Sequence, residues 1–233
     1  MSVGTVVVLT GAGISAESGL STFRGPDGLW EGHHVADVAT PEAFTHDPVT
    51  VQRFYNRLRA RLPAVTPNAA HHALVRLEHA MGTAFHLITQ NIDDLHQRAG
   101  STRITAMHGG LTMIRHVDTG DVLSWHGDLP ENEQHWRPHV VWFGERTIGL
   151  DHITEMLSQA MLFLAIGTSG TVYPANQFAA IAKRAGATTI EVNLEATAGA
   201  FDFTLTGPAT QVVPGLVERL IEGPLAALAV HGG

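Results

Sequence analysis

The sequence predicts an α/β fold, a doubly wound parallel sheet carrying a smaller inserted lobe of helices and β-ribbon. Three observations predict it. Strand-length apolar runs, Thr5–Leu9, Ala84–Thr89, Met161–Ile166 and Thr188–Val192, alternate with helical segments at both ends of the chain, as in sheets covered on two faces. The first run closes directly on Gly11-Ala12-Gly13-Ile14-Ser15-Ala16, which fits the G-x-G-x-x-A turn of Rossmann-like folds. Between residues 31 and 81, by contrast, helical patterns follow one another with no strand between them, as an insertion would.

In the glycine turn, Gly11 allows a tight bend, Gly13 lets backbone approach a pyrophosphate, and small Ala16 lets the next helix pack closely. The helix N-terminus would offer N–H groups to phosphates. The same hexapeptide also serves as a ligand-free tight turn. Residues 21–30 form a Gly- and Pro-rich loop where an ordinary dinucleotide fold has its second strand and ribose-binding acid. Thr40-Pro41 and Asp47-Pro48 each cap a helix, the second reaching about Leu62 with the stripe Val51, Phe54, Leu58 and Leu62. Pro63 stops it. Thr66-Pro67 caps a further helix with Leu74 and Leu77 inward.

The strand Ala84–Thr89 runs straight into Gln90-Asn91-Ile92-Asp93. Parallel sheets hold ligands at the carboxyl ends of their strands, so these side chains fall where chemistry happens. Arg103–Gly110 reads as a short strand ending in His108-Gly109, and an imidazole titrates near neutrality. Residues 111–137 read as a β-ribbon turning at Thr119-Gly120, then a polar loop. By residue pattern alone Pro138–Glu145 is a core strand. After a helix at 151–160, the apolar strand 161–166 ends in Gly167-Thr168-Ser169-Gly170, suited to phosphate or ribose. Val172-Tyr173-Pro174-Ala175 opens a helix to about Ala185. The strand 188–192 ends in Asn193-Leu194-Glu195, and Asn193 or Glu195 is placed to bond a ribose. Gln211–Pro214 leads into a last helix bearing Leu216, Val217, Leu220 and Ile221, and residues 223–233 form a tail. These elements make a single domain over 1–233. Its large lobe comprises 1–30, 82–110 and 138–233, and its small lobe comes from the insertions 31–81 and 111–137.

Residues 11–30, GAGISAESGLSTFRGPDGLW, together with Thr89–His96 (TQNIDDLH), the His108-Gly109 pair and the segment at 138–145, resemble the signature of the sirtuins, the NAD-dependent protein-lysine deacylases, in their bacterial form. The resemblance covers about 4–222. It implies NAD as cofactor, acyl-lysine proteins as substrates, and release of nicotinamide and O-acyl-ADP-ribose. His108 would be the general base and Asn91 the orienting catalytic amide. Asp93 and the Ile92 backbone would hold the nicotinamide carboxamide. Gly11, Ala12, Gly13, Ile14, Ser15, Glu17, Thr22, Phe23, Arg24, Trp30, Gln90, Gly167, Thr168, Ser169, Asn193, Leu194, Glu195 and Ala209 would complete the NAD site. Val141, Phe143, Gly144, Glu145, Val172 and Tyr173 would receive the substrate peptide, Val141–Glu145 by strand addition. Mono-ADP-ribosyl transfer and NAD hydrolysis use the same electrophile and stay open, as does an NAD-binding module without turnover. A hydride-transferring oxidoreductase is disfavoured by the missing early acid.

Two departures from the family pattern matter. Most sirtuins hold residues equivalent to 111–137 with four cysteines on zinc, and this chain has 0 Cys. His116, His126, His135 and His139, with Asp118, Asp121 or Asp128, offer alternative ligands, but their spacings match no paired-ligand pattern, so no metal is expected. Members that remove succinyl groups carry Tyr-x-x-Arg on a small-lobe helix. Here Tyr55 is present and Leu58 stands at the arginine's place, while Arg59 lies ~40° round the helix from Tyr55. Arg59 therefore reads either as a replacement for the missing arginine, giving a desuccinylase as well as a deacetylase, or as a solvated surface residue.

Composition narrows the partners. Hydrophobic residues are 44% and charged ones 15%, the balance of a globular chain. Net charge is −8 with 14 Lys+Arg, against general nucleic-acid binding. No apolar run approaches the ~20 residues of a membrane span, and no basic region precedes the first apolar run. A cytoplasmic monomer is expected.

Overall fold

A computed structural model describes residues 4–21, 29–199 and 201–223. Six parallel strands form the main sheet in the order β11-β10-β9-β1-β4-β5. They are β1 (Thr5–Thr10), β4 (Phe85–Thr89), β5 (Ile104–Ala106), β9 (Ala160–Ile166), β10 (Thr188–Asn193) and β11 (Phe203–Thr206). Along β1, Val6 and Val8 face one core while Val7 and Leu9 face another, the period-two alternation of a strand covered on both sides. The first core is closed by Leu74 and Leu77 of α5 (Ala69–Met81) and by Val213, Leu216 and Val217 of α9 (Ala209–Glu222). The second is closed by Ile153 and Leu157 of α7 (Leu150–Ser158) and by Phe178 and Ala182 of α8 (Phe178–Arg184). The sheet is doubly wound. β1 pairs with β4 on one side and β9 on the other, so strand order reverses about β1 and a crevice opens above these three carboxyl ends.

A second unit packs around its own core. The helices α2 (Val35–Val38), α3 (Pro41–His46) and α4 (Pro48–Arg61) meet a three-stranded antiparallel sheet, β7-β6-β8. Its strands are β6 (Gly109–His116), β7 (Val122–Ser124) and β8 (Trp136–Val140). Phe44, Phe54, Tyr55, Leu111, Val140 and Trp142 fill this core. A two-residue ribbon, β2 (Leu29–Trp30) with β3 (His33–His34), borders it. The remaining helices, α1 (Gly13–Ala16) and α6 (Leu95–Ala99), follow β1 and β4. As expected, Thr40 caps α3 and Asp47 caps α4, each followed by proline as the first helical residue.

Five local expectations change. Residues 69–81, expected in the small lobe, form α5, which buries Leu74 and Leu77 in the main-sheet core beside Val6 and Val8, because its apolar stripe matches the sheet face. Its N-cap is Asn68, with His71 completing a capping box, and not Thr66. Residues 138–140, expected in the large lobe, join the small sheet together with 136–137, since β8 pairs with β6. Pro214 lies inside α9, where its missing N–H falls in the second turn of the helix. The expected strand 103–110 is two strands, β5 in the main sheet and β6 in the small one, with Met107-His108 as the joint between sheets. Gly109 makes that joint possible: its φ is +78°, and a Cβ there would overlap the His139 carbonyl.

Candidate active site

The loop after β4 is held against the glycine turn by a compact polar network. Asn91 is 7% exposed; its Nδ2 donates to the Gly11 carbonyl and to Ser15 Oγ, both at 3.1 Å. Ser15 Oγ donates to Asp93 Oδ2 at 3.0 Å, and Asp93 Oδ1 accepts the Leu95 N–H at 3.0 Å. Burial raises the Asp93 carboxyl above its ordinary range, opposed by the Leu95 N–H and the Ser15 hydroxyl. His108 sits opposite on the inter-sheet joint, its Nδ1 3.0 Å from the Gln90 carbonyl. A carbonyl only accepts, so Nδ1 carries the proton and Nε2 is the basic nitrogen. Burial lowers the imidazole pKa, and the Gln90 carbonyl opposes that shift.

The neighbouring strand ends are tied together. Gln90 Nε2 donates to Thr168 Oγ1 at 3.0 Å, and Asn193 Nδ2 donates to the Thr168 carbonyl at 2.8 Å. Beyond them opens a cavity of about 670 Å³, lined by Thr168, Ser169, Asn193, Leu194, Glu195 and Phe201 among others. Its volume lies in the range of cofactor sites. Hydroxyls, an exposed carboxylate at Glu195 and the apolar Leu194 suit a ribose and a flat base, so these residues fit the adenosine half of NAD.

Several expected contacts take a different form. The N–H groups of Gly11, Gly13, Ile14 and Ser15 all bond backbone carbonyls, because α1 is a single turn folded onto the end of β9. A Cβ on Gly11 or Gly13 would meet Gly167 backbone at 2.7 and 2.6 Å, so these glycines let two loops touch. Glu17 points away, accepting from the Thr210 N–H at 3.0 Å and the Thr210 hydroxyl at 2.6 Å. The Asn193 amide ties two loops together, its Nδ2 donating to the Thr168 carbonyl and its Oδ1 accepting the Leu194 N–H. Ile14 and Ala209 are core residues. Trp30 packs edge-on against Phe54 at 5.0 Å between centroids, in the small-lobe aromatic cluster. Thr22, Phe23 and Arg24 lie outside the described residues.

This geometry agrees with what the chain is similar to. Residues 11–174 match the Sir2 family model. The chain belongs to the Sir2 family. Curated relatives include the NAD-dependent protein deacylase of Escherichia coli (strain K12), 54% identical and covering 94% of this chain and 82% of that protein. The Shigella flexneri protein of the same name is 55% identical, covering 94% and 84%. A solved Sir2 homologue–NAD complex superposes with a TM-score of 0.85 at 36% identity, covering 93% of this chain and 89% of that one. A Sir2–p53 peptide–NAD+ complex gives 0.76 at 29%, covering 94% and 92%.

On the peptide side this sirtuin departs from the sequence reading. Residues 141–145 form a turn after β8 and not a strand. The N–H groups of Val141 and Phe143 bond the His108 and Ala39 carbonyls, and those of Trp142 and Glu145 are engaged within the turn. Glu145 is an ion-pair hub: Arg137 grips both its carboxylate oxygens, at 2.7 and 2.9 Å, and Arg115 reaches it at 2.9 Å. Burial pushes Glu145 up, yet Arg137, the Trp142 N–H and Arg115 hold it below the usual range. Arg137, missed in the sequence, also lies 3.2 Å over the Trp142 ring. Tyr173, 76% exposed, and half-buried Val172 remain available at the surface.

The reading of Arg59 as a solvated surface residue is overturned. The side chain is 2% exposed and donates to the Leu111 carbonyl at 2.7 Å, Asn56 Oδ1 at 2.8 Å and the Gly127 carbonyl at 3.3 Å. That helix azimuth looks polar, but it faces the carbonyls of the small sheet and not solvent. Tyr55 is fully buried and its hydroxyl accepts the Trp142 indole N–H at 2.9 Å.

Of the histidines weighed as metal ligands, the structure gathers two. His116, Asp118 and His135 have ligand atoms within 4.8 Å of one another. His116 Nδ1 already accepts from the Asp118 and Thr119 N–H groups at 3.3 Å, and His126 pairs with Ser124. The module is clipped instead by one face of α4. Gln52 Nε2 donates to the Glu133 and Trp136 carbonyls. The Asn56 amide bonds both the N–H and the carbonyl of Leu129.

Proposed function

We infer that this chain is an NAD-dependent protein-lysine deacylase, the reading supported by its Sir2 membership and its deacylase relatives. The observation that carries the chemistry is the pairing, across one cleft, of a His108 imidazole basic at Nε2 with the buried Asn91–Ser15–Asp93 network. NAD, when bound, supplies a ribose carbon that gives up nicotinamide and accepts the acyl oxygen of the lysine amide. Asp93, with the Ile92 backbone, holds the carboxamide end of the cofactor. Asn91 orients the ribose or the water, fixed by Gly11 and Ser15. His108 accepts a proton at Nε2 while its Nδ1–H stays on Gln90, which holds the ring in one tautomer. Thr168, Ser169, Leu194 and Glu195 take the adenosine end. The acyl-lysine protein docks along 141–145 and Tyr173.

Among acyl groups we assign a preference for acetyl over succinyl. The supporting observation is that the Arg59 guanidinium is buried on main-chain and amide oxygens, while Leu58 occupies the arginine place of the acidic-acyl motif. The protein acts as a monomer in the cytoplasm; among the described residues no helix is long and apolar enough to cross a membrane.

Mass spectrometry of acyl-lysine peptides incubated with NAD tests both readings. Free O-acyl-ADP-ribose and deacylated peptide are expected, with acetyl turned over at least about tenfold faster than succinyl, since no charge-assisted pair awaits the succinyl carboxylate. ADP-ribosylated peptide or free ADP-ribose alone would replace deacylation with transfer or hydrolysis. Succinyl removal as fast as acetyl removal would sink the acyl assignment.

A further inference from the structure

The strands β1 and β4 both end in threonine, and the two side chains meet: Thr10 Oγ1 donates to Thr89 Oγ1 at 2.9 Å. Thr89 Oγ1 also accepts the backbone N–H of Asn91 at 3.1 Å. From α6, on the far side of the same loop, His96 reaches back to β1, its Nε2 3.0 Å from Thr10 Oγ1. The Thr10 hydroxyl hydrogen is directed at Thr89, so the Thr10 oxygen accepts from His96 and the imidazole proton lies on Nε2. A one-way chain results, His96 to Thr10 to Thr89, joined there by Asn91. All four residues are buried: His96 1%, Thr10 0%, Thr89 1% and Asn91 7% exposed.

The loop 90–95 is thus tied at both ends. Thr89 holds its start, and His96 returns its end to the strand whose next residue, Gly11, takes the Asn91 amide. We infer that His96 is a positioning residue of the deacylase, its Nε2–H fastening α6 to β1 and so fixing the loop that carries Asn91 and Asp93. The inference rests on the deacylase reading. The His71 ring stands 4.7 Å from the His96 ring, tilted by 59°, and shields its other side. Burial pushes His96 down to about 3 and His71 to about 4, so both rings stay neutral at working pH and His96 keeps a single donor.

The test compares His96→Leu with His96→Gln, whose amide can reproduce a donor near Nε2. In His96→Leu we expect kcat to fall about tenfold and the NAD KM to rise about fivefold, with the acyl-peptide KM unchanged, as misplacement of an orienting group predicts. His96→Gln is expected within about threefold of wild type. Adding Thr10→Val to His96→Leu is expected to cost little more, because both cut the same chain. In the wild-type protein, histidine ring 15N shifts are expected to show the proton on Nε2 of His96. A folded His96→Leu with an unaltered NAD KM, fully additive losses with Thr10→Val, or a proton on Nδ1 would each overturn the inference. If no variant or wild type yields O-acyl-ADP-ribose, the deacylase reading fails, while the tautomer measurement still judges the anchor.

Discussion

His108 is the residue on which turnover is expected to depend most. Removing a general base costs roughly 10²–10⁴-fold, so His108→Tyr should bring NAD-dependent deacylation below a hundredth of wild type while NAD still binds. Retention of a tenth of the activity would end the base role. Because burial lowers its pKa, His108 stays unprotonated below the ordinary imidazole value, so the acid limb of kcat/KM should fall below about pH 6.5. An acid limb above pH 7 would show the base to be some other group. The positions of His108 and Asn91 were legible because each follows a strand that ends at the carboxyl edge of a parallel sheet. Arg59 and Glu145 were not, because charge in a sequence does not say which buried carbonyl or guanidinium will meet it. Glu17 failed for the same reason, its partner Thr210 lying far along the chain. The Thr10–Thr89 pair had a sequence signal that went unused: two parallel strands each closing on threonine before the functional loop.

At the scale of elements, one face of α4 holds the module at 111–136 through side-chain hydrogen bonds. Gln52, Asn56 and Arg59 are spaced four and three residues apart, so they share one face of the helix and reach 111–136 together. Asn56 satisfies both backbone groups of Leu129, which is 5% exposed. Asn56→Leu strands those two groups without partners and should cost about 2–4 kcal/mol in denaturant unfolding. The purified protein should hold far less than one zinc per chain, and a chelator should leave its Tm unchanged. A stoichiometric metal that survives dialysis, or a Tm lowered by chelation, would point to His116, Asp118 and His135 and would demote the α4 clip. The helical insertion was readable from uninterrupted 3.6-residue periodicity. The placement of α5 was not, because an apolar stripe shows that a helix is buried without naming the face that buries it.

The doubly wound sheet was legible as a whole because composition and alternation act along the entire chain, and both cores obey the period-two rule along β1. What the sheet encloses was less so, and it sets how the whole molecule answers to acid. His71 and His96 are enclosed as neutral rings with pKa values pushed down to about 4 and about 3, whereas the unfolded chain protonates both near 6.5. Above pH 6.5 neither state holds the extra protons and the stability is fully present. As pH falls through that value the unfolded state binds protons that the folded state refuses, so stability declines toward the folded pKa values. Each ring contributes a slope of about 1.4 kcal/mol per pH unit in this window. Asp93 works the other way: its raised carboxyl takes up a proton in the folded state above the ordinary carboxylate range, which favours the folded state as pH falls toward that range. Glu145, held low by Arg137, adds to the acid loss there. Unfolding free energy measured at pH 7, 6, 5 and 4.5 should therefore drop below 6.5, and His96→Gln should lower the slope between pH 6 and 4.5 by about 1.4 kcal/mol per pH unit. A flat profile across that range, or an unchanged slope in the variant, would mean that the buried pair admits protons without opening.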